Sequence, residues 1–338
     1  MEPTARPPGE SESLPVTLLA GFLGAGKTTL VNRILSERHG EKIAVVVNEY
    51  GSVGIDGSLV VGSAERIVQL ENGCVCCTVR GDLQESLCEL LQARERRLFG
   101  RREFDRVLIE ASGLAAPGPI VQTLSIDPLL SASLRLDGVL TLAHAGNLTR
   151  QLEAHVEAAE QIAYADRVLL NHADRVDANG LEAARVAVRK CNALADVLVS
   201  TRAELDIGPL LSIHTLNDAR WSLEEASALP ERDVAHQHDA SVSSVALASM
   251  APLDLAQLKL WLQFVAKRRG QDLYRIKGIL RCHERSERVI VQGMYEWLEL
   301  GPSAEPAPEV SRLVVIGRNL DSGELERGWA ACGGDGGG

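Results

Sequence analysis

The sequence predicts an α/β fold with a mostly parallel sheet, followed by a second, smaller α+β domain. In the first 200 residues or so, short apolar runs alternate with amphipathic helical stretches, which is the pattern of strands joined by helical crossovers. This alternation fades after about residue 202, and a different pattern begins near residue 242. The chain has 338 residues, which is enough for two cores, because one core rarely grows beyond about 250–300 residues.

The elements follow from apolar periodicity and from turn residues. The strands predicted in the first domain are Leu14–Ala20, Ile43–Val47, Ile67–Leu70, Val107–Ile109, Gly138–Leu142 and Val168–Leu170, with helices over 29–40 and 82–97. The elements predicted in the second domain are the strands Val242–Leu247, Tyr274–Arg281, Arg288–Val291 and Arg312–Ile316 and the helix Leu255–Arg268. We therefore predict a disordered tail over 1–13, a nucleotide-hydrolase domain over 14–205, a linker over 206–240, the second domain over 241–328 and a Gly-rich tail over 329–338.

Composition excludes several classes of protein. A formal net charge of −11 argues against nucleic-acid binding, which needs clustered Lys and Arg. No apolar run approaches the roughly 18 residues of a membrane helix, and the Pro-rich, acidic N-terminus does not resemble a secretory signal. The seven cysteines are therefore expected in a reducing compartment, the cytoplasm, where clustered cysteines more often bind metal than form disulfides.

A phosphate-binding loop is predicted between the first strand and the first helix. The stretch GFLGAGKT fits G-x-x-x-x-G-K-[ST], in which backbone N–H groups at a helix N-terminus cradle phosphates. Lys27 is expected to reach the β and γ phosphates, and Thr28 to ligate Mg²⁺. The residues assigned to this cradle are Gly21, Gly24, Ala25, Gly26, Lys27, Thr28 and Thr29. The alternative is a Gly-rich turn that binds no ligand.

Two further strand ends carry residues suited to the same nucleotide. Glu110 directly follows an apolar run and is the candidate for the outer Mg²⁺ shell, with Gly113 close enough to approach the γ-phosphate. The sequence LLNHAD resembles the guanine-reading N-K-x-D, with Asn171 joining the loop to the phosphate loop and Asp174 accepting hydrogen bonds from guanine N1 and N2. These residues favour GTP over ATP, although an ordinary acid at a strand end and a plain surface loop stay open as alternatives.

A cysteine cluster lies at a predicted strand-to-helix junction. Cys74, Cys76 and Cys77 fall within four residues, and the helix N-terminus favours their thiolate forms. Three thiolates are one ligand short of a closed zinc cage, so the metal could be passed on. A purely structural zinc and a disulfide redox switch are the alternatives.

In this order, GFLGAGKTTL, VNEYG, ENGCVCCTV, EASGLAAPGPI and LLNHAD resemble the CobW-type family of P-loop GTPases, proposed metallochaperones. The resemblance extends to the second domain through LYRIKGIL and RLVVIGRNLD. It implies GTP hydrolysis with Mg²⁺, a zinc or cobalt ion at the CxCC motif, and delivery of that metal to a client protein. The resemblance leaves the oligomeric state open.

The sequence departs from the family pattern at the nucleotide site. His172 stands where Lys is usual, and its ring could stack where the Lys stem covers the base. His144 stands where the family typically has Asp, and the His-rich tract is reduced to His236 and His238. A small-molecule P-loop kinase remains an alternative, as does a zinc-buffering or redox-sensing module with a degenerate nucleotide site. In the GTPase interpretation, the Gly-containing segment Asn48–Asp56 is the predicted switch.

Overall fold

The computed structural model describes residues 13–47, 67–69, 78–95, 104–211, 213, 242–283, 285–295 and 297–333. Within these residues the chain forms two sheets, each covered by helices. The predicted combination of a parallel sheet and a smaller α+β unit is confirmed.

The first sheet is parallel in every strand pairing of the described chain and has the order β3-β2-β4-β1-β5-β6-β7. Its strands are β1 Leu14–Gly21, β2 Ile43–Val47, β3 Ile67–Gln69, β4 Arg106–Glu110, β5 Leu134–His144, β6 Arg167–Asn171 and β7 Asp196–Val199. Its helices are α1 Lys27–Ser36, α2 Thr78–Glu95, α3 Gly118–Ile126, α4 Pro128–Ser133, α5 Leu148–Ala154, α6 Val156–Tyr164, α7 Ala178–Cys191 and α8 Ile207–Leu211. A 3₁₀ helix, Ala173–Arg175, follows β6.

Helices on both faces explain why the strands of this sheet are continuous apolar runs. In β1, Leu18 packs into the core under α2, α3 and α6, whereas its neighbour Leu19 packs into the core under α1 and α8. The strand order reverses around β1, which lies between β4 and β5. In such folds ligands bind outside the carboxyl ends of the strands at this reversal point.

The second sheet is antiparallel, with the order β11-β10-β9-β12-β8. Its elements are β8 Val242–Ser249, α9 Leu255–Arg269, β9 Leu273–Leu280, β10 Glu287–Met294, β11 Trp297–Pro306, β12 Ser311–Arg318 and α10 Ser322–Ala331. Alternate residues of β12 face opposite sides, as period-two geometry requires. Val314 and Ile316 join the core of the first unit, whereas Leu313 and Val315 pack with α9 and α10.

Two predicted boundaries are wrong. The linker was expected from residue 206, but Ile207, Leu210 and Leu211 of α8 are buried in the core of the first unit, which therefore continues to at least residue 213. The Gly-rich tail was expected from residue 329, but α10 continues to Ala331 and the Trp329 side chain is 2% exposed. In both places the ordered structure extends past the last apolar periodicity of the sequence, because these residues are buried against others that are distant in the chain.

The bounds of the helices α3 to α8 were not predicted from the sequence, and neither were the elements β7, β11 and α10. The edge strand β11 is partly or fully exposed along its length and contains Gly301 and Pro302, so it lacks the apolar alternation that marks a half-buried strand. Across the described residues, no helix is long and apolar enough to cross a membrane.

Candidate nucleotide site

The phosphate-binding loop connects β1 to α1 and depends on glycine at two close approaches. At Gly21, a Cβ atom would lie 2.4 Å from the Leu142 carbonyl oxygen, and at Gly26 it would lie 2.5 Å from Asn171 Nδ2. Both glycines have positive φ, 144° and 103°, which a side chain would strain. Gly26 is also the N-cap of α1 and provides no side-chain hydrogen bond to it. The first N–H groups of α1 therefore have no side-chain cap, as a phosphate cradle requires.

The polar side chains of the loop lie at the start of α1. Lys27 and Thr28 are half-buried and Thr29 is exposed. Lys27 Nζ donates a hydrogen bond to the Gly21 carbonyl oxygen at 2.7 Å. This contact holds the ammonium group over the loop, where it can meet phosphate oxygens.

The loop after β6 is joined to the phosphate loop by a buried amide. Asn171 is 0% exposed, and its Nδ2 donates to the Ala25 carbonyl oxygen at 2.9 Å. Its Oδ1 accepts hydrogen bonds from Ser200 Oγ at 3.1 Å and from Ala203 N at 2.9 Å. One side chain thus fixes three loops relative to one another, and Asp174 lies exposed on the 3₁₀ helix three residues further on.

Ser200 and Ala203 were missed in the sequence. They lie in the turn after β7, where Arg202 and Ala203 adopt positive φ. The signal that could have found them is the polar stretch Ser200–Thr201–Arg202, which directly follows an apolar run. In a parallel sheet this places a further loop at the same edge.

Glu110 and Gly113 lie at the end of β4, beside the phosphate loop. Glu110 is buried and pairs in register with Leu19 of β1. At Gly113, a Cβ atom would lie 2.4 Å from Leu23 Cδ2 in the phosphate loop. The structure therefore brings the loop after β4 and the phosphate loop into direct contact.

Helix α6 contacts the loop after β4 and the second sheet. Gln161 Nε2 donates to the carbonyl oxygens of Gly113, at 3.2 Å, and Ala115, at 3.0 Å. The adjacent Glu160 accepts a hydrogen bond from the Tyr274 hydroxyl of β9 at 2.8 Å. Neither contact was predicted, because an amphipathic helix alone does not reveal which loops its polar side chains reach. Through α6, the edge of the nucleotide site connects to the second unit.

Two histidines stack at this edge. The His144 and His172 rings lie 4.5 Å apart between centroids, with 24° between their planes. Burial is the main cause that lowers the pKa of His144, and the nearby His172 lowers it further.

The predicted metal site lies outside the described residues. This applies to Cys74, Cys76 and Cys77, to the segment Asn48–Asp56, and to His236 and His238. In the part of the chain that the structure describes, no group of three or more His, Cys, Asp or Glu side chains could hold a metal ion. The four described cysteines are free, and burial raises the pKa of each, to about 11 for Cys191 and Cys332. Their protonated thiols are poor metal ligands.

Comparison with known proteins agrees with this architecture. Residues 15–199 match the model of the CobW/HypB/UreG nucleotide-binding domain, and residues 242–333 match the cobalamin synthesis protein cobW C-terminal domain. The chain is 34% identical to the zinc chaperone YjiA of Escherichia coli, over 93% of this chain and 97% of that protein. It is 31% identical to zinc-regulated GTPase metalloprotein activator 1 of Schizosaccharomyces pombe, over 91% of this chain and 83% of that protein.

The fold is also similar to a solved structure. The crystal structure of the zinc-bound YjiA GTPase from E. coli aligns with a TM-score of 0.74 at 29% identity and covers 95% of this chain and 99% of that one. Both units of the fold, and both family models, are thus accounted for in order along the sequence. The chain belongs to the CobW family.

Proposed function

We propose that this protein hydrolyses GTP in the cytoplasm and uses the nucleotide cycle to deliver zinc from its CxCC motif to a metal-requiring client protein. The observation that carries the proposal is the buried Asn171, which holds the loop bearing Asp174 against the phosphate loop. This arrangement suits a nucleotide with both a phosphate chain and a base to be read. The zinc chaperone and GTPase names of its relatives support the proposal.

The residues fit the nucleotide and its metal. The N-terminus of α1 lacks a side-chain cap, and glycine at position 26 lets the Asn171 amide pack directly against the phosphate loop. The Thr28 hydroxyl would hold Mg²⁺, with Glu110 in its outer shell. When bound, Mg²⁺ neutralises charge that develops on the phosphate oxygens. Lys27 contributes a second positive charge at the β and γ phosphates.

Guanine selection falls to Asp174. Its carboxylate can accept two hydrogen bonds from guanine N1 and N2, which adenine cannot donate in that pattern. Asp174 is exposed, so it is accessible to a base that arrives from solvent. In this proposal the client protein meets the zinc at Cys74, Cys76 and Cys77, where three thiolates leave one coordination position for an incoming ligand.

The proposal is tested by GTP turnover and zinc content of the same preparation. We expect Mg²⁺-dependent GTP hydrolysis and about one zinc per chain, with Cys76→Ser losing the zinc but keeping GTP binding. The matched control is Cys88→Ser, which changes a free, half-buried cysteine of α2 outside the cluster and should keep both. Zinc binding without GTP turnover would instead favour the zinc-buffering module. Loss of GTP binding in Cys76→Ser would indicate a structural zinc.

A further inference from the structure

The stacked pair of His144 and His172 arises from the pairing of two adjacent strands. His144 is the last residue of β5, and the register places it opposite Asn171, the last residue of β6. His172 follows directly, so both rings project from the carboxyl edge at the same level. Both side chains are half-buried. The contact therefore belongs to the nucleotide edge of the sheet and not to the hydrophobic core.

The geometry of this pair does not suit a metal site. The nitrogen lone pairs of an imidazole lie in the plane of its ring, and two nearly parallel rings direct those lone pairs side by side and not toward one point. In addition, His144 Nδ1 accepts a hydrogen bond from the Gly146 backbone N–H at 3.2 Å. That bond fixes the proton of neutral His144 on Nε2.

His172 is held directly over the phosphate loop. Its Nε2 would lie 3.8 Å from a Cβ built on Gly26. Its backbone adopts the left-handed region, with φ 59°, a conformation that L-residues other than Asn, Asp and His rarely adopt. Asn171 on one side is tied to the phosphate loop, and Asp174 on the other is the proposed guanine reader. In sequence, His172 thus stands between Asn171, which holds the phosphate loop, and Asp174, the proposed reader of the base.

We propose that His144 is a positioning residue for nucleotide binding: its ring stacks on His172 and fixes that ring as the platform for the guanine base. The inference rests on the proposed function, because it takes the bound nucleotide to be GTP. A side chain ordered before binding loses less conformational entropy when the base arrives, and an aromatic ring offers the base a stacking surface. The pair thereby replaces the flexible Lys stem that covers the base in the family pattern.

The pair also makes nucleotide affinity sensitive to acid. The charged and titratable groups that act on His144 are His172, Asp174 and Arg175, all from the segment after β6. Burial, His172 and Arg175 lower the pKa of His144, and a backbone hydrogen bond and Asp174 only partly oppose them. His144 is therefore neutral at pH 7, and stacking is complete above the ordinary His pKa of about 6.5. Stacking is lost as pH falls below that value through the lowered pKa, because protonation places a charge on the half-buried His144 ring, which burial disfavours and Arg175 repels.

A double-mutant cycle tests the proposal, with KM and kcat for GTP measured at several pH values. We expect His144→Ala to raise KM about three- to tenfold with little change in kcat, since it removes a stacking contact that orders the site. His144→Phe keeps a stacking ring and should restore KM. The double variant His144→Ala/His172→Ala should have the KM of His172→Ala alone, because His144 acts through His172.

The pH profile separates positioning from a merely structural role. The phosphates of GTP titrate near pH 6.5 themselves, so His144→Phe, which cannot be protonated, provides the baseline. The unmodified protein should lose affinity more steeply than this variant below about pH 6.5. His39→Ala is the matched control. His39 is also half-buried, but it follows the end of α1, at the edge of the sheet opposite the nucleotide site, and it hydrogen-bonds to the Ile34 carbonyl oxygen.

Two results would overturn the inference. One is an unchanged KM in His144→Ala with an unchanged thermal midpoint, and the other is additive effects of the two substitutions. The proposed function fails in a different way, by absent turnover or by equal affinity for GTP and ATP in the unmodified protein.

Discussion

The two ends of strand β6 hold the molecule together in opposite ways. At the amino end, Asp166 accepts a hydrogen bond from Val139 N at 2.9 Å and forms ion pairs with Arg275 and Lys277 of β9, the second at 3.4 Å. At the carboxyl end, the neutral Asn171 makes hydrogen bonds to two other loops, the phosphate loop and the turn after β7. Both residues are buried, at 7% and 0% exposed. Asp166 thus joins the two sheets through ion pairs, whereas Asn171 joins the loops of the nucleotide site through hydrogen bonds of an uncharged amide.

The difference follows from what each end must contact. The domain contact is internal, so a buried carboxylate can be balanced permanently by a buried guanidinium. The nucleotide edge must receive a polyanion, and a fixed charge in its supporting residue would favour or repel the phosphates directly. A neutral amide positions the loops and leaves the charges of the site to Lys27, Glu110 and Asp174. The comparison predicts that substitutions at the amino end change stability, whereas substitutions at the carboxyl edge change nucleotide chemistry.

The largest effect is expected at the amino end. Asp166→Asn leaves Arg275 buried beside a neutral amide, and removing one partner of a buried pair costs about 3–5 kcal/mol. We expect a loss of this order in the free energy of unfolding, measured by urea titration. Burial already lowers the pKa of Arg275, and the charge of Asp166 opposes that effect.

The control for this prediction is Asp196→Asn on the neighbouring strand. Asp196 pairs with Arg167 at 2.9 Å, but its side chain is 53% exposed. Exposed pairs contribute about 0–1 kcal/mol, so this variant should unfold almost like the unmodified protein. Equal losses in the two variants would contradict the view that the buried pair holds the domains together.

The next prediction concerns a substitution that lowers the rate of GTP hydrolysis without changing the stability of the fold. Lys27→Ala removes the positive charge at the β and γ phosphates and should reduce the rate of GTP hydrolysis by at least about tenfold. Its urea midpoint should not change, in contrast to Asp166→Asn. Lys42→Ala, an exposed lysine just before β2, is the control and should retain full turnover. Unchanged turnover in Lys27→Ala would reject the GTPase proposal.

A smaller effect is expected on base selection. Asp174→Asn replaces a carboxylate that accepts two hydrogen bonds by an amide that accepts one and donates one. It should weaken GTP binding about fivefold while leaving ATP binding unchanged. Competition binding with the two nucleotides measures this ratio. Asp177→Asn is the control. Asp177 lies three residues after Asp174 and caps α7 by accepting a hydrogen bond from Gly180 N. Equal affinity of the unmodified protein for GTP and ATP would reject the role of Asp174.

The sequence predicted those features whose cause is local. The phosphate loop was predictable because its glycines, its lysine and the start of α1 lie within eight residues. The strands β1, β2, β4, β5 and β6 were predictable because burial on both faces makes them continuous apolar runs. The stacking of His144 on His172 was not predictable, because it arises from the lateral pairing of β5 and β6. The ion pair of Asp166 with Arg275 joins residues 109 positions apart, and no local pattern records it.

The boundary errors have the same origin. Helix α8 and the end of α10 are held by contacts with distant residues, and their own sequences read as linker and tail. Gln161 is a similar case: its contacts with Gly113 and Ala115 depend on how α6 packs, and no local pattern in the sequence records them. The roles of Cys74, Cys76 and Cys77 stay predictions, since these residues lie outside the described part of the chain.

Zinc release to a chromophoric chelator shows whether the nucleotide cycle controls the metal at the CxCC motif. Release is followed in parallel for protein loaded with GTP, with hydrolysis blocked by Lys27→Ala or a non-hydrolysable analogue, and for protein loaded with GDP. Cys76→Ser defines the signal without the site, and Cys88→Ser controls for loss of a cysteine elsewhere. We expect faster zinc release from the GDP-bound protein, whereas identical rates in the two nucleotide states would show that hydrolysis and delivery are not coupled and leave a GTPase that merely carries a zinc ion.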